Sequence, residues 1–209
     1  MTPGYFIVLE GVDGAGTTTQ SARLTAELAR RGHRVHQTCE PSRGPIGLEL
    51  RRVLKGQATL PPTAVALLFA SDRLDHLARE IEPQLSSGCH VVSDRYVLSS
   101  LAYQSQQVDR AFVETINARA RAADLTLLVA VDPEVAAKRR QRRGGEVELY
   151  DAIEMQRQVA SAYLHEAALY KSGNIETVDG NGDQDTVFEA ILRAVEICLP
   201  ALSSSSSRP

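Results

Sequence analysis

The stretch Phe6-Ile7-Val8-Leu9-Glu10-Gly11-Val12-Asp13-Gly14-Ala15-Gly16-Thr17-Thr18-Thr19-Gln20 decides what kind of fold this chain can adopt. A short apolar run passes directly into a glycine-rich loop, and the loop into a helical pattern that begins at Thr18. That order has the Gly-x-x-x-x-Gly-Lys-Ser/Thr form of a phosphate-binding loop, with Thr17 standing where the form has lysine. Glycines let the backbone curl so that successive N–H groups point into one concavity, and the following helix adds the partial positive charge of its N-terminus. Gly11, Asp13, Gly14, Ala15, Gly16, Thr17, Thr18 and Thr19 are therefore candidate contacts for a triphosphate. The Thr18 hydroxyl is expected to ligand Mg²⁺, whereas Thr17 cannot supply the cation that normally sits between β- and γ-phosphates.

Outward from the loop, short apolar runs rich in β-branched residues recur at 6–9, 35–38, 90–93, 125–131 and 175–178, separated by helical patterns. The alternation predicts an α/β fold of three layers, a P-loop fold with a five-stranded parallel sheet flanked by helices. Helices are expected over 18–31, closed by Gly32, over 62–85, closed by Gly88, and over 133–142, closed by Gly144-Gly145; two more should span 152–170 and 185–199. No repeat or linker divides the chain. A single domain is expected over 1–202, with a mobile lid at about 139–150 and a disordered tail over 203–209.

With 209 residues, 43% hydrophobic content and a net charge of −3, the chain suits one globular domain with a small-molecule site and has no electrostatic case for binding a nucleic acid polymer. Cys39, Cys89 and Cys198 are scattered thiols, which suits a reducing compartment rather than a disulfide framework. Met1-Thr2-Pro3-Gly4 leads into the first strand with neither a charged n-region nor an apolar stretch long enough to export or to span a membrane, so a cytoplasmic location is expected.

In a parallel sheet the ligand gathers at the carboxyl ends of the strands. After the second strand, Thr38-Cys39-Glu40-Pro41-Ser42-Arg43-Gly44-Pro45-Ile46-Gly47 is turn-rich and brings a carboxylate and an arginine to that edge. After the third, Ser93-Asp94-Arg95-Tyr96 brings an acid that can orient an attacking group or hold Mg²⁺ through water, and a guanidinium that can grip a phosphate with two parallel donors. Ser99-Ser100-Leu101-Ala102-Tyr103-Gln104 follows with a polar and aromatic face. In the long central helix, Phe69 and Arg73 are four apart and share a face, an aromatic plate and a cation that suit a nucleoside monophosphate. Lys138-Arg139-Arg140-Gln141-Arg142-Arg143 concentrates cations before a glycine hinge, as a lid closing over polyphosphate needs. Taken singly, each has a plainer reading: a local salt bridge for Asp94-Arg95, ordinary core for Phe69, a solvated charge for Arg73, and a basic helix end favoured by the macrodipole for the cluster.

Together these residues resemble the bacterial thymidylate kinases, P-loop nucleoside monophosphate kinases, through FIVLEGVDGAG, CEPSRGPIG, LLFASDR, SDRYVLSSLAYQ, the arginine lid and VELYD, in order over nearly the whole chain. The resemblance implies transfer from Mg-ATP to dTMP, giving dTDP in the route to dTTP, by a homodimer. It implies that Asp13 receives the sugar 3′-hydroxyl, that Arg95 and Arg73 hold the dTMP phosphate, and that Phe69 stacks on thymine. Ser99 and Ser100 then lie near the base edge, Tyr103 crowds the 2′ position, and Glu40, Glu148 and Tyr150 look toward substrate. Asp94 organises a Mg²⁺ water and Arg95, and Asp179-Gly180 flanks adenine. Gly14 stands where some relatives have a loop arginine, so the catalytic arginine comes from the lid; Arg139, Arg140, Arg142 and Arg143 are the candidates, with Arg139 and Arg143 assigned to catalysis.

Two departures remove positive charge from the phosphate end: Thr17, and Cys39 where an arginine commonly precedes Glu-Pro in that family. A lid arginine or Arg43 is expected to reach into the lysine's place. The alternatives are a nucleotide-binding protein that has lost catalysis and a kinase for another nucleotide. Intact Asp13, Arg73, Asp94, Arg95 and the lid oppose the first, and Phe69, Ser99, Ser100 and Tyr103 oppose the second.

Overall fold

The computed structural model describes residues 2–144, 149–150, 152–170 and 173–203; the side chain of Arg143 also lies outside the description. Among these residues, strands β1 (Phe6–Glu10), β2 (Val35–Cys39), β3 (His90–Asp94), β4 (Leu125–Ala130) and β5 (Ile175–Asp179) form one parallel sheet in the order β2-β3-β1-β4-β5. All agree with the expected runs to within about a residue, as boundary placement allows. β1 is buried along its whole length because both of its faces are covered, which is why it reads as an unbroken apolar run.

Alternation along β1 feeds two apolar clusters. Ile7 and Leu9 join Leu24 and Leu28 of α1 (Thr17–Arg30) and Ile191 and Val195 of α9 (Gln184–Cys198). Phe6 and Val8 join Leu101 of α5 (Val97–Tyr103), Val113 of α6 (Arg110–Asn117), Leu77, Ile81 and Leu85. The remaining helices are α2 (Pro45–Leu54), α3 (Pro62–His76), α4 (Glu82–Ser86), α7 (Pro133–Arg143) and α8 (Ile153–Leu169). None of the described helices is long and apolar enough to cross a membrane.

One expectation needs correction, and two helices answer to none. The single helix over 62–85 is α3, a π-helical stretch at Leu77–Ile81, and then α4. Pro83 has no N–H to return to the carbonyl one turn back, and widening the turn accommodates the gap. The segment after β2 holds α2, whose start is signalled by Pro45 in the first turn and which buries Gly47, Leu50 and Val53. α6 was also unforeseen, although Asp109 caps it by accepting from Phe112 N at 2.9 Å.

At the end of α3, His76 is buried against Thr38 Oγ1 (2.8 Å to Nε2) and Glu40 Oε1 (3.3 Å to Nδ1). Burial alone pulls its pKa down, but the hydrogen bond and charge of Glu40, with the charges of Glu80 and Asp72, outweigh that and raise it above the usual 6.5. A histidine raised in the folded state contributes stability that is complete below its unfolded pKa and is lost as pH rises through the folded one. The stabilisation that His76 gives the wild type, read as melting temperature, is therefore expected to fade as pH rises above about 6.5. His76→Gln should lose that dependence; parallel curves for the two proteins contradict the assignment.

Candidate active site

The loop between β1 and α1 is shaped by close backbone approaches. Gly14 has φ 91, and a Cβ there would lie 2.3 Å from the carbonyl oxygen of Ala136, so the loop is seated directly on α7. Gly16, φ 92, is the N-cap of α1; the N–H groups of the first turn at Thr17, Thr18 and Thr19 have no partner one turn back in the helix, and these three residues line the cleft above the loop. Gly14→Ala combines a left-handed backbone, costing about 1–2 kcal/mol, with that clash. It is expected to lower the melting temperature by about 5 °C or more and to weaken ATP binding by about tenfold or more, read by thermal melts and calorimetry. An unaffected variant means that α7 is not seated on the loop.

Beside the loop, the Thr18 hydroxyl donates to Asp94 Oδ2 at 2.5 Å, while Asp94 Oδ1 is buried with no hydrogen-bond partner among the described residues. An orphaned carboxylate oxygen next to a threonine hydroxyl is a hard oxygen donor set. It fits Mg²⁺ that takes its remaining ligands from phosphate and water.

Arg95, immediately after β3, has φ 75, a conformation that a side chain makes costly and that is held by Arg95 N donating to Leu9 O (2.8 Å) and Ser93 Oγ donating to Arg95 O (2.9 Å). The turn sends its guanidinium across the loop. Nη2 meets Asp13 Oδ1 at 2.5 Å, and Nη1 donates to Gly11 O (2.9 Å), Tyr163 OH (3.1 Å) and Ser99 Oγ (3.3 Å). Its ring neighbour is Tyr103, 5.4 Å from the guanidinium carbon, whose hydroxyl accepts from Asp13 N at 3.2 Å. Burial pushes the Tyr103 phenol up to about 12, keeping it neutral. Burial opposes the Arg95 charge, but Asp13 and the surrounding groups more than offset it and its pKa is raised.

Two site residues escaped the sequence reading. Glu10, fully buried, accepts from Tyr96 N (2.9 Å), Ser99 N (3.1 Å), Ser99 Oγ (2.5 Å) and Tyr163 OH (3.2 Å), and burial raises its pKa. It therefore fixes the start of α5 and, through Ser99 and Tyr163, the Arg95 side chain. A carboxylate ending an otherwise apolar strand was the signal for Glu10; nothing local marked Tyr163.

Arg73, 1% exposed, is saturated. Nε donates to Glu40 Oε2 (2.9 Å), Nη2 to Tyr96 O (2.9 Å), and Nη1 to Ser100 Oγ (3.1 Å) and Asn117 Oδ1, while Nη2 also lies 2.8 Å from Glu40 Oε2 as an ion pair. Glu40, Arg73 and Ser100 thus form a buried, mutually bonded wall that also holds Tyr96 O. Phe69 is half-buried, and Tyr150 packs on Tyr103 with ring centroids 5.3 Å apart. At the position of the missing family arginine, Arg51 of α2 reaches over from its helix to Cys39 Sγ (3.6 Å) and Pro41 O. Arg43 is exposed and is not among the residues lining the main cleft.

That cleft, about 760 Å³, lies over residues 13–20 and is bounded by Arg95, α7 and the turn after β5. Asp179 braces the turn by accepting from Asn181 N and Nδ2 (3.0 and 2.8 Å). Arg139 donates to the carbonyls of Gly180 (2.9 Å), Asn181 (3.3 Å) and Gly182 (2.7 Å), and Arg140 to Asp13 O (2.5 Å). Phe69, Ser99, Ser100, Tyr103 and Tyr150 lie outside this cleft, around Arg95 and the buried wall or on α3. The Arg143 side chain, Glu148, the lid between 145 and 148 and the tail from 204 fall outside the described residues.

The glycine loop leaving the middle strand of this parallel sheet, with a carboxylate of the neighbouring strand against its threonine, is that of a P-loop nucleotide-binding fold. The comparisons are narrower. The family model for thymidylate kinase matches residues 9–191. A protein of Pyrobaculum aerophilum named "Probable thymidylate kinase" is 43% identical over 165 residues, 78% of this chain and 83% of its own. Proteins of the same name from Methanococcus maripaludis and Pyrobaculum calidifontis are 40% and 36% identical, covering 91% and 94% of this chain and 94% and 98% of theirs. The chain belongs to the thymidylate kinase family. These relatives are archaeal, so the narrower resemblance to the bacterial members finds no support.

Proposed function

We propose that this chain transfers the γ-phosphoryl group of ATP to dTMP, giving dTDP and ADP. The observation that carries the reading is the junction at Arg95: one guanidinium spans the phosphate-binding loop at Gly11 and Asp13 and the Ser99–Tyr103 face, where donor and acceptor must meet. Phosphoryl transfer needs little covalent help from the protein; it needs two nucleotides held in line and charge neutralised on the moving group. The loop N–H groups and the α1 N-terminus bind the ATP phosphates. Thr18 and Asp94 would hold Mg²⁺, which would supply positive charge to the donor phosphates. Arg95 grips the dTMP phosphate and Asp13 meets the sugar. Arg73 joins Arg95 at the phosphate, and Glu40, Phe69, Ser99, Ser100, Tyr103 and Tyr150 frame the nucleoside. Asp179 and Gly180 flank adenine, with Arg139 clamping their turn. Arg140, Arg142 and Arg143 act from a lid over about 139–150 that excludes water.

We further propose a homodimer through the α2–α3 surface, where Leu48, Leu67 and Leu74 are exposed, a single kinase domain over 1–202, and a cytoplasmic location. Thr17, uncharged and buried, favours a second reading: a nucleotide-binding protein without turnover. ADP formation with dTMP, dUMP, dCMP and AMP as acceptors tests the substrate assignment. The expected result is fast turnover with dTMP, weaker with dUMP, and none with dCMP or AMP. Equal use of all four, or preference for AMP, removes the thymidylate assignment, and dTMP binding without turnover supports the second reading.

A further inference from the structure

The phosphate-binding loop lacks the ammonium group its form calls for, and nothing in the loop can supply one: Thr17 is 5% exposed and its carbonyl accepts from Ser21 Oγ at 2.8 Å. A compensating charge has to come from another element. α7 is the element seated on the loop, through the Gly14 to Ala136 backbone contact and the bond from Arg140 to Asp13 O. Lys138, Arg139, Arg140 and Arg142 of this helix line the cleft. Arg139 is committed to the carbonyls of the Gly180–Gly182 turn and Arg140 to the loop carbonyl. Lys138 and Arg142 have no hydrogen-bond or ion-pair partner among the described residues. A helix rises about 1.5 Å per residue, so from the Ala136 contact Lys138 stands about 3 Å along the axis and Arg142 about 9 Å. Both are also turned from the Ala136 face, by about 200° and about 240° round the helix, yet both line the cleft; along the axis the lysine is the nearer of the two, a compact charge on a flexible four-carbon stem.

We propose that Lys138 supplies the positive charge of the missing loop lysine, its ammonium group lying against the β- and γ-phosphate oxygens of bound ATP. The inference rests on the phosphotransferase reading above and makes it more specific. Lys138 forms and breaks no bond; it neutralises charge that is present in bound ATP and grows on the leaving oxygen as the γ-phosphoryl group departs. Arg139 and Arg140 hold the helix at its two anchor points so that this charge arrives in register.

The test uses the full chain with Lys138→Ala, Lys138→Arg, Arg142→Ala and the double variant Thr17→Lys/Lys138→Ala, each checked by thermal melting. Kinetics are read with Mg-ATP and dTMP, and ATP binding by calorimetry. Lys138 is exposed on its helix, so its replacement leaves the fold intact. Lys138→Ala is expected to lower kcat by about a hundredfold, with dTMP affinity within about threefold of wild type, and Lys138→Arg to keep at least about a tenth of the rate. Placing lysine at 17 in the Lys138→Ala background should recover at least about tenfold. The inference is overturned if Lys138→Ala stays within about threefold of wild type, if neither Arg at 138 nor Lys at 17 recovers rate, or if Arg142→Ala causes the larger loss. If wild type makes no ADP with dTMP, the kinase reading falls by itself, and calorimetry still judges Lys138: unchanged ATP affinity in Lys138→Ala overturns its contact with the phosphates.

Discussion

Arg95→Ala is expected to lower kcat/KM for dTMP by about a thousandfold or more, with ATP affinity near wild type. Arg95 is the only non-glycine residue with positive φ among the described residues, and the strain buys a guanidinium that reaches from β3 to the loop. Truncation removes the proposed acceptor-phosphate grip and leaves Asp13, its 2.5 Å partner, as an unbalanced carboxylate facing an incoming dianion. Both effects act against the same ligand, so they compound. Arg95→Lys should recover little, because a point charge does not reproduce a fork that bridges two groups. Melting curves separate this from unfolding, since Arg95 also donates to Gly11 O. A folded Arg95→Ala protein that uses dTMP normally removes Arg95 from the acceptor site.

Asp94→Asn is expected to lower kcat by about a hundredfold or more and to raise the Mg²⁺ concentration needed for half-maximal rate. Asp94 Oδ2 is occupied by the Thr18 hydroxyl and Oδ1 has no hydrogen-bond donor among the described residues, so the amide keeps the shape and removes the charge of the proposed cation site. Thr18→Ser, which keeps the hydroxyl, should stay within about fivefold of wild type, while Thr18→Val should resemble Asp94→Asn. An unchanged Mg²⁺ requirement in Asp94→Asn contradicts the metal assignment.

The strands, the loop and the residues just past β1, β2 and β3 could be read from local pattern, because a doubly covered parallel strand is written as a continuous apolar run and a phosphate loop as spaced glycines. What could not be read is who partners whom. Arg73 carries the same motif context whether it faces a ligand or a wall; its partners Tyr96, Ser100, Glu40 and Asn117 are 23, 27, 33 and 44 residues away, and only the packing of α3 against α5 and α6 decides. Tyr163 lies 153 residues from Glu10. Helix α2 was hidden by turn-forming residues that turned out to be its start. Lys138, Arg139, Arg140 and Arg142 of α7 likewise became distinguishable only when the carbonyls that engage Arg139 and Arg140 were placed opposite them.

The central claim is that the Thr17 loop supports transfer between ATP and dTMP. Its most direct test is the product balance: purified protein with Mg-ATP and dTMP, followed by ³¹P NMR, with dTMP omitted in the control. The account predicts dTDP and ADP accumulating in equal amounts, with ADP absent from the control. ADP formed at the same rate without dTMP, or no dTDP despite bound dTMP, contradicts it.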